Sequence, residues 1–440
     1  MTKFFINAWD KFHAAPFRHQ LVMIAGLAFV LRMVWALIAP IEPVSDPYIY
    51  MVTAQNLAQH GVYGVTPEEP FSYWPVGAAA IYALGYKVLG VNMAPVLLLN
   101  FTAGLLLVFT TGLLARRWYG QTAGLITAFL IAIWPNLIMY TTLFASEIFF
   151  LVLVNLMLLA WRPEDARPWG LAILAGLFLA GAIFVRPVAL LLPVVMVGLA
   201  FLRQSAPLGR SLTFTLAAVI VAGVAIAPWT ARNMALHNEF VLISTNGGPN
   251  LWMGNNPDSD GGYMPLPDYV DGMSETERAK ILGDQAKAYM LEDPLRTFNN
   301  IIYRAVKSHD RETIAIAWNT EGLLKRYDIE ERALLPLKLM SQAFWMSVLA
   351  FGLGGAVLTV ASMRNEKTWL ARLGALASPA LVLWAYYTSV HAVIVAGDRY
   401  HIPSIPFIAM IAALAVIAAW RKFAAPRIGS RDSAVRGASS

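Results

Sequence analysis

The sequence has no cysteine among its 440 residues. This absence excludes disulfide bonds, thiolate metal sites and cysteine catalysis. Charge is also scarce, because Asp, Glu, Lys and Arg make up 14% of the residues, whereas 58% are hydrophobic and the mean hydropathy is +0.56. A soluble globular protein is about 25% charged, so the composition indicates an integral membrane protein.

Several motifs of soluble enzymes are missing as well. The chain has no Walker loop, no Gly-x-Ser-x-Gly elbow and no dinucleotide-binding fingerprint. None of the histidines on the predicted outer side has a compact zinc-ligand spacing. These histidines are His60, His237, His309, His391 and His401. We assign no metal site and no certain cofactor, and leave open a divalent cation held by Asp46 or another carboxylate.

Long apolar runs predict ten transmembrane helices, since roughly 20 residues cross the hydrocarbon core. The runs lie at about 20–40, 94–115, 122–142, 145–161, 168–185, 187–202, 211–229, 336–361, 369–395 and 402–420. The expected fold class is an all-α polytopic membrane protein with interfacial helices on the outer face and a small mixed extracytoplasmic cap.

Positive charge predicts the orientation, because Lys and Arg in short loops stay on the cytoplasmic side. With the N-terminus inside, the short loops on the opposite side hold only Lys87, Arg186 and Arg399. Asp46 then lies on the extracytoplasmic face. The net charge of +6 reflects this topology and contact with anionic headgroups, and no basic patch with interleaved aromatics suggests nucleic acid as a partner.

The predicted organisation has four parts. Residues 1–229 form an N-terminal transmembrane module whose first extracytoplasmic loop is 41–93, residues 230–335 form the cap, residues 336–422 contain the C-terminal transmembrane helices, and residues 423–440 are a disordered cytoplasmic tail. In the first loop, helical spacing of apolar residues before Gly61 predicts an amphipathic helix along the membrane. The following stretch, FSYWPVGAAAIYALGYKVLG, is expected to be a re-entrant or surface helix.

The cap contains signals for helix starts. Ser274 and Glu277 form a capping box that predicts a helix to about Leu291, and Asp293 followed by Pro294 predicts the start of another. Between 230 and 263, the segments STNGG and GNNPDSDGG supply glycines and asparagines that tolerate positive φ. We expect strands and turns in that part.

Asp46 is the candidate catalytic residue. It follows the first apolar run, and no Lys or Arg comes after it before Lys87. A carboxylate without a basic neighbour can remain a working base instead of part of an ion pair. The residues support equally well that Asp46 is the N-cap of a helix starting at Pro47.

Other charged residues near the membrane are candidates for substrate binding, because a charge there needs a partner or water. Glu147 lies at the outer end of an apolar helix, where it could equally be an acid stabilised by the helix dipole. Arg186 and Arg399 suit phosphate recognition, although each taken alone is more often a snorkelling residue. Arg32 must be paired or face water, and Lys87 is the weakest candidate.

The order of several short segments resembles a known family. The segments are SDPYIYMVTAQNLAQHGVY, WPVGAAAIYALGYKVLG, ASEIFFL, FVRPVALLLP, PWTARN leading into STNGGPNLWMGNNPDSDGGY, and RYHIPSIPF. Together they resemble polytopic glycosyltransferases of the GT-C class, specifically the bacterial protein-mannosyltransferase-like, aminoarabinose-transferase-like and Rgt-like family. The resemblance spans the chain from about Arg32 to Phe407.

This resemblance implies an enzyme of the bacterial inner membrane with its site on the periplasmic side. It would take a sugar from a polyprenyl-phosphate donor and give it to an envelope glycan, a lipid or a protein. Asp46 would be the base of an inverting transfer, and Arg186 and Arg399 would hold the phosphate. Further residues that would line or shape the pocket are Tyr50, Asn246, Asn255 and Tyr400.

The sequence departs from the family pattern at two positions. Many relatives have two adjacent acids in the first loop, whereas Pro47 follows Asp46, which puts a two-acid or metal-bridging version in doubt. Tyr73 and Trp74 precede Pro75 where relatives often have Arg-Pro-Pro, so one phosphate contact is missing or moved. Two other functions remain open, namely a transporter or flippase of lipid-linked saccharides and a ligase that moves a whole glycan.

Overall fold

The computed structural model describes residues 15–362 and 369–423. The predicted cytoplasmic tail after Phe423 lies outside these residues. Within them the chain is helical and contains no strand, apart from one isolated bridge between Gly64 and Pro70. In chain order the helices are α1 (Phe17–Ile38), α2 (Asp46–Gln59), α3 (Gly77–Leu89), α4 (Met93–Tyr119), α5 (Gln121–Ile133), α6 (Pro135–Met139), α7 (Glu147–Ala160), α8 (Pro168–Val185), α9 (Leu192–Arg203), α10 (Leu208–His237), α11 (Gly247–Asn255), α12 (Glu275–Glu292), α13 (Pro294–Lys307), α14 (Ile314–Tyr327), α15 (Leu335–Ser362), α16 (Trp369–Leu376), α17 (Pro379–Ile394) and α18 (Ile405–Phe423).

The transmembrane bundle is built on six helices that are long and apolar enough to cross a membrane, counted over the described residues. They are α1, α4, α8, α10, α15 and α18. A seventh span would be α5 together with α6. The all-α polytopic fold is thereby confirmed, whereas the expected number of ten spans is not.

Prolines explain two of the differences in the spans. α5 and α6 meet at Trp134 with a bend of 54°, because Pro135 lacks an N–H and holds Trp134 in an extended conformation. Pro379 acts in the same way on Ser378, so the run at 369–395 is divided into α16 and α17. α7 and α9 have 14 and 12 residues, fewer than the roughly 20 that a full crossing needs.

The first loop folds as expected. α2 runs to Gln59 and the chain then turns at Gly61, whose φ of +72° is accessible to glycine at no steric cost. α3 is a short apolar helix that packs against both α2 and α4. The two helices together cover one end of the bundle.

The cap consists of helices joined by turns and irregular loops, and no strand occurs among its described residues, so the expected strands between 230 and 263 are wrong. α10 continues to His237, and the glycine-rich segment forms α11. Gly248 and Gly254 serve close packing, because a Cβ at either position would lie 1.9 Å from the carbonyl oxygen of Ala279 in α12 or of Ile394 in α17. Gly248 and Gly254 therefore allow helices to touch, whereas Gly261 has the positive φ, +85°, that was expected of a turn glycine.

Both predicted helix starts in the cap are confirmed. Ser274 Oγ accepts a hydrogen bond from the Glu277 N–H at 3.3 Å, and the Asp293 carboxylate accepts one from the Arg296 N–H at 2.9 Å. The cap also has a small apolar core of its own. That core consists of Trp252, Met253, Val270, Leu282, Ala286 and Val395.

Candidate active site

A cavity of about 480 Å³ opens between α2, the loop before α3, the end of α8, the start of α11 and the end of α17. Six of the residues singled out from the sequence line it, and they are Asp46, Tyr50, Arg186, Asn246, Arg399 and Tyr400. These residues come from four separate parts of the chain. The fold therefore gathers most of the predicted site residues around one space.

Asp46 is paired with Arg399 across this cavity. The Arg399 Nη1 donates to Asp46 Oδ2, and each side chain is about a quarter exposed. The expectation that Asp46 stays outside an ion pair is therefore wrong, because its basic neighbour comes from 353 residues later in the chain. Asp46 is the first residue of α2, and Ser45 before it forms no side-chain cap. The carboxylate faces the guanidinium of Arg399.

A second ion pair joins Glu147 to Arg186. Arg186 Nη2 donates to Glu147 Oε1, with the Glu147 side chain 1% exposed. Ser146 reinforces the pair, since its Oγ accepts from Arg186 Nε at 3.0 Å. Glu147 also opens α7, so the helix dipole stabilises its charge. Asp46, Arg186 and Arg399 thus border the cavity, and the Glu147 carboxylate is buried behind Arg186.

Aromatic rings surround the two pairs. The guanidinium of Arg399 lies 5.3 Å from the Trp318 ring centroid and 5.5 Å from that of Tyr400, distances at which a cation is attracted to a ring face. Burial alone would lower the pKa of Arg399, but Asp46, Tyr400 and Glu147 outweigh it and the pKa lies well above its usual value. Burial, together with the negative charges of Asp46 and Glu147, raises the pKa of Tyr50 to about 12. Arg399 is a permanent cation and Tyr50 a neutral hydroxyl.

The segment between α13 and α14 holds the loop that carries Arg399 in place. Asp398 accepts hydrogen bonds from the Thr313 N–H at 3.1 Å and its hydroxyl at 2.9 Å. His401 Nδ1 donates to the Ser308 carbonyl at 2.9 Å, and its Nε2 lies 3.4 Å from Glu312. Two anchors on either side of Arg399 therefore hold its guanidinium in position.

Glu312 is the centre of a buried polar cluster beneath this loop. Its carboxyl accepts from Trp134 Nε1 at 2.8 Å and 3.0 Å, and the residue is completely buried. Burial raises the pKa of Glu312 well above its usual range, and burial lowers the pKa of His401 to about 4. The proton of His401 lies on Nδ1, which donates to the Ser308 carbonyl. If His401 and Glu312 are both neutral, the Glu312 hydroxyl is the donor to His401 Nε2.

Three predicted site residues lie away from the cavity. Arg32 is fully buried inside the bundle, where its Nη1 donates to the carbonyls of Ala28 and Ala132 at 3.3 Å. Lys87 is exposed in the last turn of α3. Asn255 ties the cap to α17 by donating to the Val393 carbonyl at 2.9 Å. As contacts to a substrate in this cavity, these assignments are corrected.

The cavity also contains residues without an assigned role in the sequence analysis. His391 near the end of α17 is 4% exposed, its Nε2 has no hydrogen-bond partner among the described residues, and its ring lies 4.9 Å from Tyr400. A polar residue late in an apolar run was the available signal. Arg278 of α12 lies 5.3 Å from the ring centroid of Tyr73. A guanidinium therefore stands beside the position where relatives often have arginine in the loop itself.

No three His, Asp or Glu side chains converge on a potential metal position anywhere in the described ranges. Asp46, the carboxylate that borders the cavity, is engaged by Arg399.

Comparisons with known proteins agree with this architecture. The family model of dolichyl-phosphate-mannose-protein mannosyltransferases matches residues 74–231. The solved oligosaccharyltransferase AglB from Archaeoglobus fulgidus, in complex with an inhibitory peptide and a dolichol-phosphate, superposes with a TM-score of 0.57 at 13% identity, over 94% of this chain and 52% of AglB. This chain shares the fold of AglB over most of its length.

Further matches set the extent of the likeness. The apo form of AglB gives a TM-score of 0.56 at 14% identity, over 94% of this chain and 52% of its own. ArnT from Cupriavidus metallidurans, bound to undecaprenyl phosphate, matches at 15% identity over 90% of this chain and 78% of its own, with a TM-score of only 0.43. No curated protein sequence matches significantly. This chain thus spans about half the length of AglB, and the family-model match includes Glu147 and Arg186 but neither Asp46 nor Arg399.

Proposed function

We propose that this chain transfers a sugar from a polyprenyl-phosphate donor to an acceptor outside the cytoplasm, with Asp46 as the base. The observation that carries the proposal is the pair of carboxylate–arginine contacts around one cavity. A phosphodiester donor needs cations to hold its leaving phosphate, and an attacking hydroxyl needs a base. The cavity offers both within one space.

The arginines suit the donor phosphate. A guanidinium can form paired hydrogen bonds with phosphate oxygens, and both Arg186 and Arg399 line the cavity. A phosphate that binds Arg399 competes with Asp46 for the same N–H groups. Donor binding would therefore loosen Asp46 from its ion pair and release its carboxylate as a base.

An apolar groove beside the cavity suits the prenyl chain of the donor. This second cavity of about 410 Å³ has almost wholly apolar walls from α8 and α10, and Leu190 borders both cavities. Its wall residues include Leu179, Ile183, Val219, Ile226 and Met234. A lipid tail in the groove would bring its phosphate to the arginines through the shared border at Leu190.

The proposed reaction is a single inverting displacement. The acceptor oxygen attacks the anomeric carbon while Asp46 takes its proton, and the bond from that carbon to the phosphate oxygen breaks. The phosphate leaves with the bonding electron pair and needs little protonation, so one carboxylate suffices. Glu147 keeps Arg186 in place, since it is fully buried against it. The use of a divalent cation stays open.

We further propose a bacterial inner membrane as the location, with the cavity facing the periplasm. The acceptor class is an envelope glycan, a lipid or a protein. The argument for this side of the membrane is the charge asymmetry of the loops, which puts few cations beside the site.

Mass spectrometry of envelope lipids and glycans tests the proposal. Deletion of the gene is expected to remove one sugar, and Asp46→Asn is expected not to restore it despite normal folding. Glu42→Gln is the matched control, because Glu42 lies in the same loop but pairs with Lys325. Full restoration by Asp46→Asn would exclude Asp46 as the base, and retention of every sugar after deletion would favour transport.

A further inference from the structure

The helix α13 in the cap has its apolar side facing outward. Leu295, Phe298, Ile302 and Val306 are 70%, 60%, 52% and 67% exposed. Their spacing of three and four residues puts them on one face of the helix. In a water-soluble cap the apolar face would pack against the protein. In α13 the apolar face is exposed and the polar face is packed.

The opposite, polar face of α13 packs on the protein. Arg304 on that face is completely buried and donates to the carbonyls of Gly254 and Ala392 and, at 2.8 Å, to Asn255 Oδ1. Lys307 on the same side is bonded to Asp260 at 2.9 Å. These polar contacts fix the rotation of the helix, so the outward orientation of its apolar stripe is built into the fold.

We propose that α13 lies in the surface of the lipid bilayer, with the stripe Leu295, Phe298, Ile302 and Val306 among the headgroups and upper acyl chains. Ala392, which holds Arg304, belongs to the last turn of α17 in the apolar bundle. α17 is a short apolar helix that packs against the span α18. A helix that packs on the end of α17 therefore suits the level of the interface, where amphipathic helices bind.

The composition of α13 favours lipid as the occupant. The helix contains no Asp or Glu, so none of its side chains repels anionic headgroups. Arg304 and Lys307 are bonded within the protein, which leaves Arg296 as the cation of α13 available beside the apolar stripe. The bilayer also covers an exposed stripe without requiring a partner of complementary shape. This inference is independent of the proposed sugar transfer.

The natural absence of cysteine makes the test direct, because one introduced cysteine can be labelled without background. The full chain with Phe298→Cys or Ile302→Cys is labelled with an environment-sensitive fluorophore and reconstituted into liposomes that contain phosphatidylglycerol. Quenching is then measured with doxyl-labelled phospholipid and with aqueous iodide. Lys280→Cys on the exposed part of α12 is the aqueous control, and Leu216→Cys on the exposed apolar surface of α10 is the lipid control.

Both stripe positions are expected to match Leu216→Cys, with lipid quenching several-fold stronger than at Lys280→Cys and weak iodide quenching. Iodide quenching as strong as at Lys280→Cys would show that the stripe faces water. Protection from both quenchers would show that protein covers it, for example a second copy of the chain. Either of these results overturns the proposal, and two positions guard against a label that perturbs one site.

Discussion

Replacing Asp46 is expected to tighten the binding of the sugar-free carrier while it abolishes transfer. In the structure Asp46 occupies Arg399, and a lipid phosphate must compete for that guanidinium. Asp46→Asn removes the competing charge but keeps the shape of the side chain. The variant should therefore bind undecaprenyl phosphate more strongly than the wild type, which is opposite in sign to the usual effect of a site mutation.

The exposure of the pair bounds the size of this effect. Asp46 is 23% exposed and Arg399 25% exposed on their side chains, so solvent screens the pair and its worth is about 1 kcal/mol at most. Loss of that competition corresponds to a gain in affinity of up to about 5-fold. Arg399→Ala loses a charged hydrogen bond to phosphate worth roughly 1.5–3 kcal/mol, and it regains what the pair with Asp46 had cost. With a regain of about 1 kcal/mol, the net loss of about 0.5–2 kcal/mol weakens binding about 2- to 30-fold.

The assay is direct titration of the purified protein with undecaprenyl phosphate, which requires no knowledge of the sugar. Lys87→Ala is the control for general loss of positive charge, since Lys87 is exposed and does not border the cavity. Thermal unfolding of each variant checks the fold. Weaker binding by Asp46→Asn, or unchanged binding by Arg399→Ala, would refute the competition between carboxylate and phosphate.

Three further predictions concern buried groups. Glu147→Gln should cost about 3–5 kcal/mol of stability, because it leaves Arg186 without its buried partner, and the double variant with Arg186→Gln should regain part of it in thermal unfolding. The pKa of Glu312 is raised in the folded chain, so above pH 4.5 the folded chain keeps a proton on Glu312 that the unfolded chain loses. The free energy of unfolding therefore falls as the pH rises from 4.5 toward the pKa of Glu312 in the folded state. Glu312→Gln should flatten that fall, and equal slopes in the two proteins would contradict the assignment. His391→Phe should preserve packing on Tyr400 and the melting temperature. Loss of one hydrogen bond of about 1 kcal/mol from His391 to the substrate should lower kcat/KM about 5-fold. An unchanged kcat/KM would leave His391 without a role in transfer.

Local signals in the sequence predicted local structure well. The serine and aspartate caps of α12 and α13 are where the pattern places them, because a cap depends on residues within one turn. The apolar runs gave the polytopic class for the same reason. They did not give the bends at Pro135 and Pro379, since a hydrophobic run has the same composition whether the helix continues or breaks.

Contacts between distant segments were beyond the sequence. Arg399 was recognised as a phosphate candidate on the same side as Asp46, yet its pairing with Asp46 depends on 353 residues of intervening fold. Gly248 and Gly254 were taken as turn residues because a glycine in sequence does not reveal whether it serves φ or close packing. Arg32 was expected to need a partner or water, and backbone carbonyls meet part of that need.

The helix α13 and the cavity are linked through Arg304. Its guanidinium binds Gly254 at the end of α11, whose Asn250 and Met253 border the cavity, and it binds Ala392 next to His391. If α13 lies among the lipid headgroups, it would therefore fix the depth of α11, and so of this side of the cavity, relative to the bilayer. The phosphate of a membrane-embedded carrier lies at that same headgroup level, so the donor would reach Arg186 and Arg399 without leaving the membrane. If α13 proves to face water, α13 does not fix the position of the cavity relative to the bilayer. The donor would then have to reach the cavity through the apolar groove at Leu190 alone.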